Sequence, residues 1–501
     1  MNKILVANRG EIAVRVFRAA RELGMGTVAV YSEADQDSLH VQFADQAVCI
    51  GGPEPGSSYL RGDAVIDAAK KTGADAIHPG YGFLSERAEF SEACESAGLI
   101  FIGPPASAMR MLGDKISAKK LAVENHVPIT PGFFEPGAKD SELLEAARRI
   151  GFPVMLKASA GGGGRGMRIV HEESAFMAEA STARDEALRG FGSDEMMVEK
   201  LVQRPRHIEV QLMADQHGSV AALFERECSI QRRHQKLIEE APSPVMTEEL
   251  WQHMREASIR LAKAAGYVGA GTVEFMLDDA TGEFYFLEVN ARLQVEHPVT
   301  EAITGLDLVR LQFFVAQGER LENLVSEEIM AGNRKSIRGH AIELRVVAEN
   351  PSKGFLPSIG KLIGWAMPTG PGVRVDTGYQ LDGEITRFYD SLVSKVICHG
   401  PSRRQAIERC REALLDTHIL GVQTNVGYLS AVLADQEFAE AAFDTGFLGR
   451  REDLLVSEDL PVGLLELVNA GSRTAGSRPL VAAAVGAWAT GDGFRNVRAN
   501  S

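Results

Sequence analysis

The sequence is poor in cysteine and has no long apolar run. Its five cysteines are odd in number, lie far apart and never form a CxxC pair: Cys49, Cys94, Cys228, Cys398 and Cys410. This pattern favours reduced, mostly buried thiols and predicts a cytoplasmic protein. No apolar run approaches the roughly 20 residues that span a bilayer. The N-terminus, MNKILVANRG, also lacks the apolar segment and cleavage site of a secretory signal, so we expect no membrane partner.

Basic charge is scarce as well. The chain has 53 Lys and Arg residues against 68 Asp and Glu, for a formal net charge of -15. A nucleic-acid partner is therefore disfavoured, because no excess of cations is available to replace the counterions of a phosphate backbone. An anionic ligand must instead be held by a local cluster of basic groups. At 501 residues the chain is long enough for several domains with full cores.

Strand and helix signals alternate over residues 1–113. Residues 3–7 (KILVA) and 27–31 (TVAVY) are predicted strands, with a helical pattern between them. Such alternation predicts a parallel sheet flanked by helices. Ligands of such sheets usually bind at the carboxyl ends of the strands, here at residues 8–10 and 78–83.

Two further regions and a tail follow. Residues 114–318 mix hairpins with helices, whereas residues 335–448 carry strand signals until a predicted helix over 403–415 closes the region. Residues 449–501 have no clear periodicity and form the predicted tail. We therefore expect three domains, over 1–113, 114–318 and 335–448.

A glycine-rich segment lies between two predicted strands. Gly161, Gly163 and Gly166 satisfy the spacing G-x-G-x-x-G, but a dinucleotide-binding loop must open a helix. Here strand-like residues 154–158 and 167–170 flank the glycines. The pattern predicts a hairpin flap whose backbone N–H groups can close over phosphates. The alternative is a flexible turn without a function.

Basic residues near the flap could hold such phosphates. Lys157 interrupts an apolar strand, where a charge needs a partner that phosphate oxygens could supply. Lys115 lies at a predicted helix start, and the residues around His234 (RRHQK) form another basic cluster. The alternative for each residue taken alone is an ordinary solvated or polar contact.

Paired acids farther along the chain predict a metal site. Two strand-like runs, 271–277 and 283–290, are joined by the turn-forming residues DDATG. Folding about this turn brings Glu274 opposite Glu288, with Asn290 on the same face as Glu288. Such hard oxygen donors suit Mg²⁺. The alternative is a pair of solvent-facing acids, although like charges opposed across strands destabilise a sheet unless a cation intervenes.

An anion clamp could follow directly. If the chain stays extended through ARLQVEHP, then Arg292, Gln294 and Glu296 share one face. An arginine fork binds a planar oxyanion with two hydrogen bonds, and a nearby carboxylate can accept a proton from it. The alternative is a simple salt bridge. Continuity with the metal ligands favours a second anion beside metal-bound ATP.

Several long motifs carry a family resemblance over residues 1 to about 448. They are HPGYGFLSE, MLKASAGGGGRGMR, VEKLVQRPRHIEVQ, RECSIQRRHQKLIEEAPSP, GAGTVEF, FLEVNARLQVEHPVTE and RGHAIELRVVAENP. Together they resemble biotin carboxylases, members of the ATP-grasp superfamily. The resemblance implies an α/β and α+β fold: a Rossmann-like N-terminal domain, a central ATP-grasp domain with a glycine flap, and a C-terminal α+β domain.

The resemblance also implies roles for individual positions. The implied ATP contacts are Lys115, Lys157, Gly163, Gly164, Glu199, Lys200, Leu201, Val202, His207, Gln231 and His234. The implied Mg²⁺ or Mn²⁺ ligands are Glu274, Glu288 and Asn290. The implied bicarbonate pocket consists of Lys236, Arg292, Gln294, Val295 and Glu296. Arg345 matches the arginine that steadies the biotin enolate, and Tyr81 and Gly82 match the loop where biotin enters.

The implied reaction has two stages. Glu296 deprotonates bicarbonate held by Arg292, and the oxyanion attacks the γ-phosphorus of MgATP. The carboxyphosphate formed releases CO₂, which carboxylates N1′ of biotin on a carrier. The implied partners are a biotin carboxyl carrier domain or protein and the carboxyltransferase subunit of an acyl-CoA carboxylase, and we also expect a homo-oligomer.

Some features depart from the family pattern. Ala160, Val202 and Asn350 differ from the expected residues, which affects the flap and nucleotide preference most. Residues 108–111 (AMRM) have arginine where a carrier needs lysine, so the carrier must lie on another chain or beyond residue 501. The ending GFRNVRANS resembles the start of a linking domain and predicts a truncated subunit.

Two other function classes compete with this interpretation. Another ATP-grasp ligase, such as a carbamoyl-phosphate synthetase half, would share the acid pair and flap but would not account for Arg345 or HPGYGF. A binding protein without turnover is disfavoured by the intact set of metal ligands together with Arg292 and Glu296.

Overall fold

The N-terminal part contains five parallel strands. A computed structural model describes residues 1–159, 166–233 and 235–455. The strands are β1 (Lys3–Val6), β2 (Gly26–Ser32), β3 (Gln46–Gly51), β4 (Ala76–His78) and β5 (Ile100–Phe101). The helices are α1 (Gly10–Glu22), α2 (Leu39–Phe43), α3 (Gly62–Thr72), α4 (Ala88–Ser96) and α5 (Ala106–Gly113). The strand order β3-β2-β1-β4-β5 confirms the predicted parallel sheet.

The carboxyl ends of β1 and β4 meet, as the parallel arrangement predicts. Asn8, just after β1, donates hydrogen bonds from Nδ2 to the carbonyls of Pro79 and Tyr81, both at 2.8 Å. Gly80 has φ +64°, and a Cβ there would lie 2.8 Å from the Asn8 amide nitrogen. Only glycine fits this approach, so the loop after β4 is held tightly against the loop after β1.

A small antiparallel sheet follows, with its own apolar core. Its strands are β6 (Gly132–Phe133), β7 (Val154–Ala158), β8 (Met167–Val170) and β9 (Met196–Lys200), in the order β6-β9-β7-β8. The accompanying helices are α6 (Lys115–Glu124), α7 (Asp140–Ile150) and α8 (Phe176–Phe191). β7 and β8 pair antiparallel, with Lys157 opposite Met167, so strands flank the glycine segment as predicted. Residues 160–165 themselves lie outside the described residues.

An eight-stranded sheet forms most of the remaining framework. Its first strands are β10 (Pro205–Ala214), β11 (Val220–Arg232), β12 (Gln235–Ala241), β13 (Gly269–Asp278) and β14 (Phe284–Asn290). The strands that follow along the chain are β15 (His340–Val347), β16 (Glu349–Asn350), β17 (Leu356–Pro357), β18 (Gly360–Lys361), β19 (Gly364–Ala366), β20 (Val373–Thr377), β21 (Glu384–Ile385), β22 (Leu392–Gly400) and β23 (His418–Leu420). Of these, β15, β20 and β22 belong to the large sheet, and the others form the two-stranded pairs β16-β17, β18-β21 and β19-β23. The order β14-β13-β10-β11-β12-β15-β22-β20 joins strands from both sides of residue 335. The sheet therefore continues across residue 335, where the third domain was predicted to begin.

Helices cover this sheet and extend beyond the predicted closing helix. They are α9 (Glu248–Ala264), α10 (His297–Thr304), α11 (Leu308–Ala316), α12 (Glu327–Met330), α13 (Arg403–Leu415), α14 (Val426–Ala434), α15 (Gln436–Ala439) and α16 (Phe447–Arg450). The helix predicted over 403–415 is confirmed as α13, but it does not close the region, because three helices follow it before residue 455, where the described part of the chain ends. Within the described ranges, no helix has the length and apolar character needed to cross a bilayer.

Candidate active site

The two acids predicted to oppose one another do so. Glu274 in β13 pairs in register with Glu288 in β14, next to a local irregularity of the ladder. Glu274 lies 3.0 Å from both Lys236 Nζ and His207 Nε2. Burial raises the pKa of Glu274, but these two neighbours outweigh it and hold the pKa well below its usual range. Burial and the facing Glu274 raise the pKa of Glu288, so a cation between the two carboxylates would favour ionisation of both.

The donor set at this corner fits a divalent metal. The hairpin supplies two carboxylates and the Asn290 amide, which are the oxygen ligands that Mg²⁺ prefers. Among the described residues, ligand atoms of His207, Glu209 and Glu274 also lie within 4.8 Å of one another. Glu209 was not predicted from the sequence.

The clamp arginine is held by three side-chain oxygen acceptors and by the backbone carbonyl of Leu293. Arg292 donates to the side chains of Asn290 at 3.0 Å, Gln294 at 2.8 Å and Glu86 at 2.9 Å. The contacts to Asn290 and Gln294 connect it to the metal corner, as expected. Glu86 belongs to the loop after β4. Its contact with Arg292 was not predicted, because no local pattern links two residues so far apart in the sequence.

The extended run predicted through residues 292–296 is wrong. β14 ends at Asn290, and Glu296 has φ -81° and ψ 9° at the start of α10. Pro298 in the first turn of that helix was the available signal, since proline is favoured at helix N-termini. The turn brings Glu296 close to strands β12 and β15 rather than along one strand face.

Glu296 is a fully buried carboxylate with two cationic partners. Lys236 Nζ donates to one oxygen at 2.7 Å, and Arg345 donates to the other at 2.9 Å. Burial raises the pKa of Glu296, but Lys236, Arg345 and Arg226 lower it more, so the pKa lies well below the usual value. The group is therefore ionised at neutral pH.

Two further buried acids complete this charge network. Lys236 also donates to Glu209 at 2.6 Å, and Arg345 donates from Nε to Glu239 at 2.6 Å. Burial raises the pKa of Glu239 to about 7, even though Arg345 lowers it. Both acids adjoin apolar residues of their strands (HIEVQL and KLIEEA), where a charge needs a partner, and that was the signal that could have identified them.

A cavity of about 670 Å³ lies between the small sheet and the larger one. The predicted nucleotide residues that line it are Lys115, Lys157, Glu199, Lys200, Leu201, Val202, His207 and Gln231, together with the predicted metal ligands Glu274 and Glu288. C-terminal residues contribute as well, among them Phe355 and Tyr428. Gly163, Gly164 and His234 lie outside the described residues.

The lysines of this cavity converge on one acid. Lys157 donates to Glu199 at 2.6 Å, and Lys119, which was not predicted, donates to its other oxygen. Glu199 is thus a partner of Lys157 within the protein. Burial and the neighbouring Lys115 lower the pKa of Lys157 to about 8. Clustered cations of this kind favour an anionic ligand.

The loop predicted for biotin lies beside the N-terminal helix. Gly82 has φ +69°, which glycine adopts readily. The Tyr81 hydroxyl donates to Glu11 at the start of α1. Arg345, in β15 as predicted, lies in register with Lys395 of β22.

The two sheets, the cavity between them and the opposed acids define the ATP-grasp class of enzymes. Three family models match consecutive parts of the chain: Biotin carboxylase, N-terminal domain, over residues 1–109; Carbamoyl-phosphate synthase L chain, ATP binding domain, over 114–324; and Biotin carboxylase C-terminal domain, over 343–450. The predicted fold class is confirmed.

Similar proteins identify the family. One of the pyruvate carboxylase subunits of Methanothermobacter thermautotrophicus is 50% identical over 447 residues, covering 89% of each chain. Biotin carboxylase of Nostoc sp. is 47% identical over 447 residues, covering 89% of this chain and 98% of that one. The methylcrotonoyl-CoA carboxylase alpha subunit of Oryza sativa is 48% identical over 459 residues, covering 91% of this chain and 61% of that one. The chain belongs to the biotin carboxylase family.

A solved structure supports the same relationship. The biotin carboxylase domain of Hydrogenobacter thermophilus 2-oxoglutarate carboxylase has a TM-score of 0.86 and 42% identity, covering 91% of this chain and 99% of that one. That domain is a dimer in complex with MgADP, ADP and bicarbonate. ATP, Mg²⁺, bicarbonate and biotin, the ligands expected from the sequence, are those of this family of ATP-dependent carboxylases.

Proposed function

We propose that this chain carboxylates N1′ of biotin on a carrier domain, using ATP and bicarbonate. The observation that carries the proposal is the environment of Glu296, a buried and ionised carboxylate between Lys236 and Arg345. A carboxylate of this kind is unprotonated at neutral pH and has a free lone pair for the proton of a bound acid anion. Arg292, which contacts the metal corner through Asn290, provides the binding site for that anion.

The first stage uses the clamp and the nucleotide cavity. Arg292 and the Gln294 amide hold bicarbonate, and Glu296 takes its proton while a bicarbonate oxygen attacks the γ-phosphorus of ATP. Lys115 and Lys157 neutralise charge on the transferring phosphoryl group. Mg²⁺, when held by Glu274, Glu288 and Asn290, supplies further neutralisation of that charge. ADP leaves, and carboxyphosphate remains beside Arg292.

The second stage uses Arg345 and the loop around Tyr81. Carboxyphosphate breaks down to CO₂ and phosphate, and the phosphate takes the N1′ proton of biotin. Arg345 stabilises the enolate oxygen that develops, because its guanidinium donates hydrogen bonds and carries a fixed charge. N1′ then attacks CO₂ to form the new C–N bond. Tyr81 and Gly82 lie where biotin would enter, on a loop anchored by Asn8.

We further propose that the complete enzyme is an acyl-CoA carboxylase. The chain spans 61% of the methylcrotonoyl-CoA carboxylase alpha subunit that it matches, which supports a partner or segment that supplies the carrier. Pyruvate and 2-oxoglutarate carboxylases also match. Because similar chains belong to enzymes with different carboxyl acceptors, we assign the choice of acceptor to the carboxyltransferase. Co-purification of an acyl-CoA carboxyltransferase with this chain is expected, and co-purification with a pyruvate-specific one would contradict the assignment. A homo-oligomer and a cytoplasmic location stay predictions.

Transfer of ¹⁴C from bicarbonate to biotin tests the activity. Glu296→Gln keeps the shape of the side chain but removes the base, so the rate should fall by about a hundredfold or more. Glu319→Gln, at an exposed position away from the site, is the matched control and should retain the wild-type rate.

Two outcomes would contradict the proposal. An unchanged rate in Glu296→Gln would remove the assigned base. Bicarbonate-dependent ATP cleavage that biotin does not affect would instead favour another ATP-grasp ligase.

A further inference from the structure

Lys395 is a fully buried lysine that none of the steps above uses. It lies in β22, and its Nζ donates to the carbonyl of Val295 at 2.6 Å. The same Nζ lies 3.3 Å from Glu11 and 4.0 Å from Asp376. A buried ammonium is costly without such partners. These contacts therefore fix both the position and the charge of Lys395.

The bond to Val295 acts on the residue that follows it. The carbonyl of Val295 belongs to the peptide that joins it to Glu296, and a peptide is planar. Glu296 lies at the turn before α10, so the regular geometry of a helix or strand does not fix it. A hydrogen bond that directs this carbonyl therefore also directs the backbone of Glu296.

Glu11 connects the same lysine to the N-terminal part of the chain. Its Oε1, which lies near Lys395, also accepts the hydroxyl hydrogen of Tyr81. Contact between the two parts is close here, because a Cβ on Gly378 would lie 2.5 Å from the Cα of Gly10. The loop around Tyr81 and the turn at Glu296 are thus linked through two side chains in a tightly packed region.

A further buried acid lies among the charged groups around Lys395. Glu343 in β15 is completely buried, and neither of its side-chain oxygens has a hydrogen-bond partner in the described part of the chain. Burial raises the pKa of Glu343 well above its usual value, with Lys395 the main group that lowers it. Glu11, Glu343 and Asp376 in turn raise the pKa of Lys395 against its burial.

We propose that Lys395 is a positioning residue that couples the loop around Tyr81 to the base Glu296. Its contact with Glu11 depends on the position of the loop, because Glu11 also binds Tyr81. Its hydrogen bond to the Val295 carbonyl sets the orientation of the base. The two substrates, biotin and bicarbonate, are thereby joined by one hydrogen-bonded path. This inference rests on the proposed function, in which Glu296 deprotonates bicarbonate and biotin enters past Tyr81.

A double-mutant cycle on Tyr81→Phe and Lys395→Met tests the coupling. The measured quantities are the KM values for bicarbonate and ATP in biotin carboxylation. Lys395→Met should raise the bicarbonate KM about tenfold, as loss of a residue that orients a functional group commonly does. The ATP KM should stay within about twofold, because Lys395 makes no contact in the nucleotide cavity. Lys361→Met, at an exposed lysine of the same region, is the control.

The second arm of the cycle separates coupling from a merely structural role. Tyr81→Phe removes one hydroxyl and should raise the bicarbonate KM about threefold in the wild-type background. In the Lys395→Met background it should have no further effect, because the path is already broken. If the double variant raises the bicarbonate KM by the product of the two single-variant factors, the two residues act independently and the inference is overturned. A parallel rise in both KM values with a lower Tm would equally reduce Lys395 to a structural role.

Two further results keep the test decisive. If Lys395→Met does not fold, Glu11→Gln replaces it in the cycle and is judged by the same criterion. If the wild-type chain does not carboxylate biotin, the proposed function itself fails. If the wild type carboxylates biotin but the two KM factors multiply in the double variant, only the proposed role of Lys395 is contradicted.

Discussion

Replacing Glu240 with glutamine should remove an acid-sensitive contribution to the stability of the large sheet. Glu240 lies in β12 and is buried. It accepts hydrogen bonds from Arg403 at 2.7 and 3.0 Å and from His340 at 2.6 Å. His340 opens β15 and Arg403 opens α13. One carboxylate thus joins the hairpin of β11 and β12 to elements that lie 100 and 163 residues later in the chain.

The size of the effect follows from the pKa of this carboxyl. Burial raises the pKa, but the charge of Arg403 and the hydrogen bond and charge of His340 lower it from 4.5 to about 2. That difference corresponds to roughly 3 kcal/mol of stability at neutral pH. Because the folded-state pKa is the lower one, the contribution is complete above the unfolded pKa of 4.5 and is lost as the pH falls toward 2. By pH 3 about 2 kcal/mol of it should be gone.

Denaturant unfolding at a series of pH values measures this contribution. The midpoints of the wild type and of Glu240→Gln should differ clearly at pH 7 and converge as the pH approaches 3. Glu319→Gln, which changes an exposed acid, should follow the wild type throughout. A gap that stays constant with pH, or widens in acid, would refute the reasoning.

Two predictions concern the cavity and the metal corner. Glu288→Gln should raise the Mg²⁺ concentration needed for half-maximal ATP cleavage about tenfold, whereas Glu283→Gln, an exposed acid on the same hairpin, should not; an unchanged Mg²⁺ requirement would contradict the ligand assignment. Glu199→Gln removes the shared anionic partner of Lys157 and Lys119, so the ATP KM should rise about tenfold while the bicarbonate KM is unchanged. Equal rises in both KM values would show that Glu199 does not act locally.

The sequence allowed prediction of features that depend on short-range patterns. The turn residues DDATG and the alternation of side chains on either side were sufficient to predict that Glu274 lies opposite Glu288. The register of a hairpin is set by its turn and by the alternation of buried and exposed residues in its strands. The parallel N-terminal sheet followed from alternating strand and helix signals in the same way. The strands that flank the glycine segment were identified because the apolar run continued on both sides of it.

Long-range pairing was not predictable from those patterns. β12 and β15 pair across about a hundred residues, with Glu239 opposite Glu343, and nothing in either strand specifies its partner. The contacts of Lys236 with three acids depend on that pairing and on the turn before α10. The prediction of an extended chain through residue 296 failed because a helix begins there, and helix-start signals compete with strand alternation at such junctions.

The most direct test of the central claim follows an oxygen atom. If a bicarbonate oxygen attacks the γ-phosphorus of ATP, then ¹⁸O-labelled bicarbonate must pass one labelled oxygen to the phosphate that is released. The wild-type chain, given ATP, Mg²⁺ and free biotin and sampled before bicarbonate exchanges with water, should produce singly labelled phosphate in step with carboxybiotin. Carboxybiotin formed together with unlabelled phosphate would contradict the mechanism.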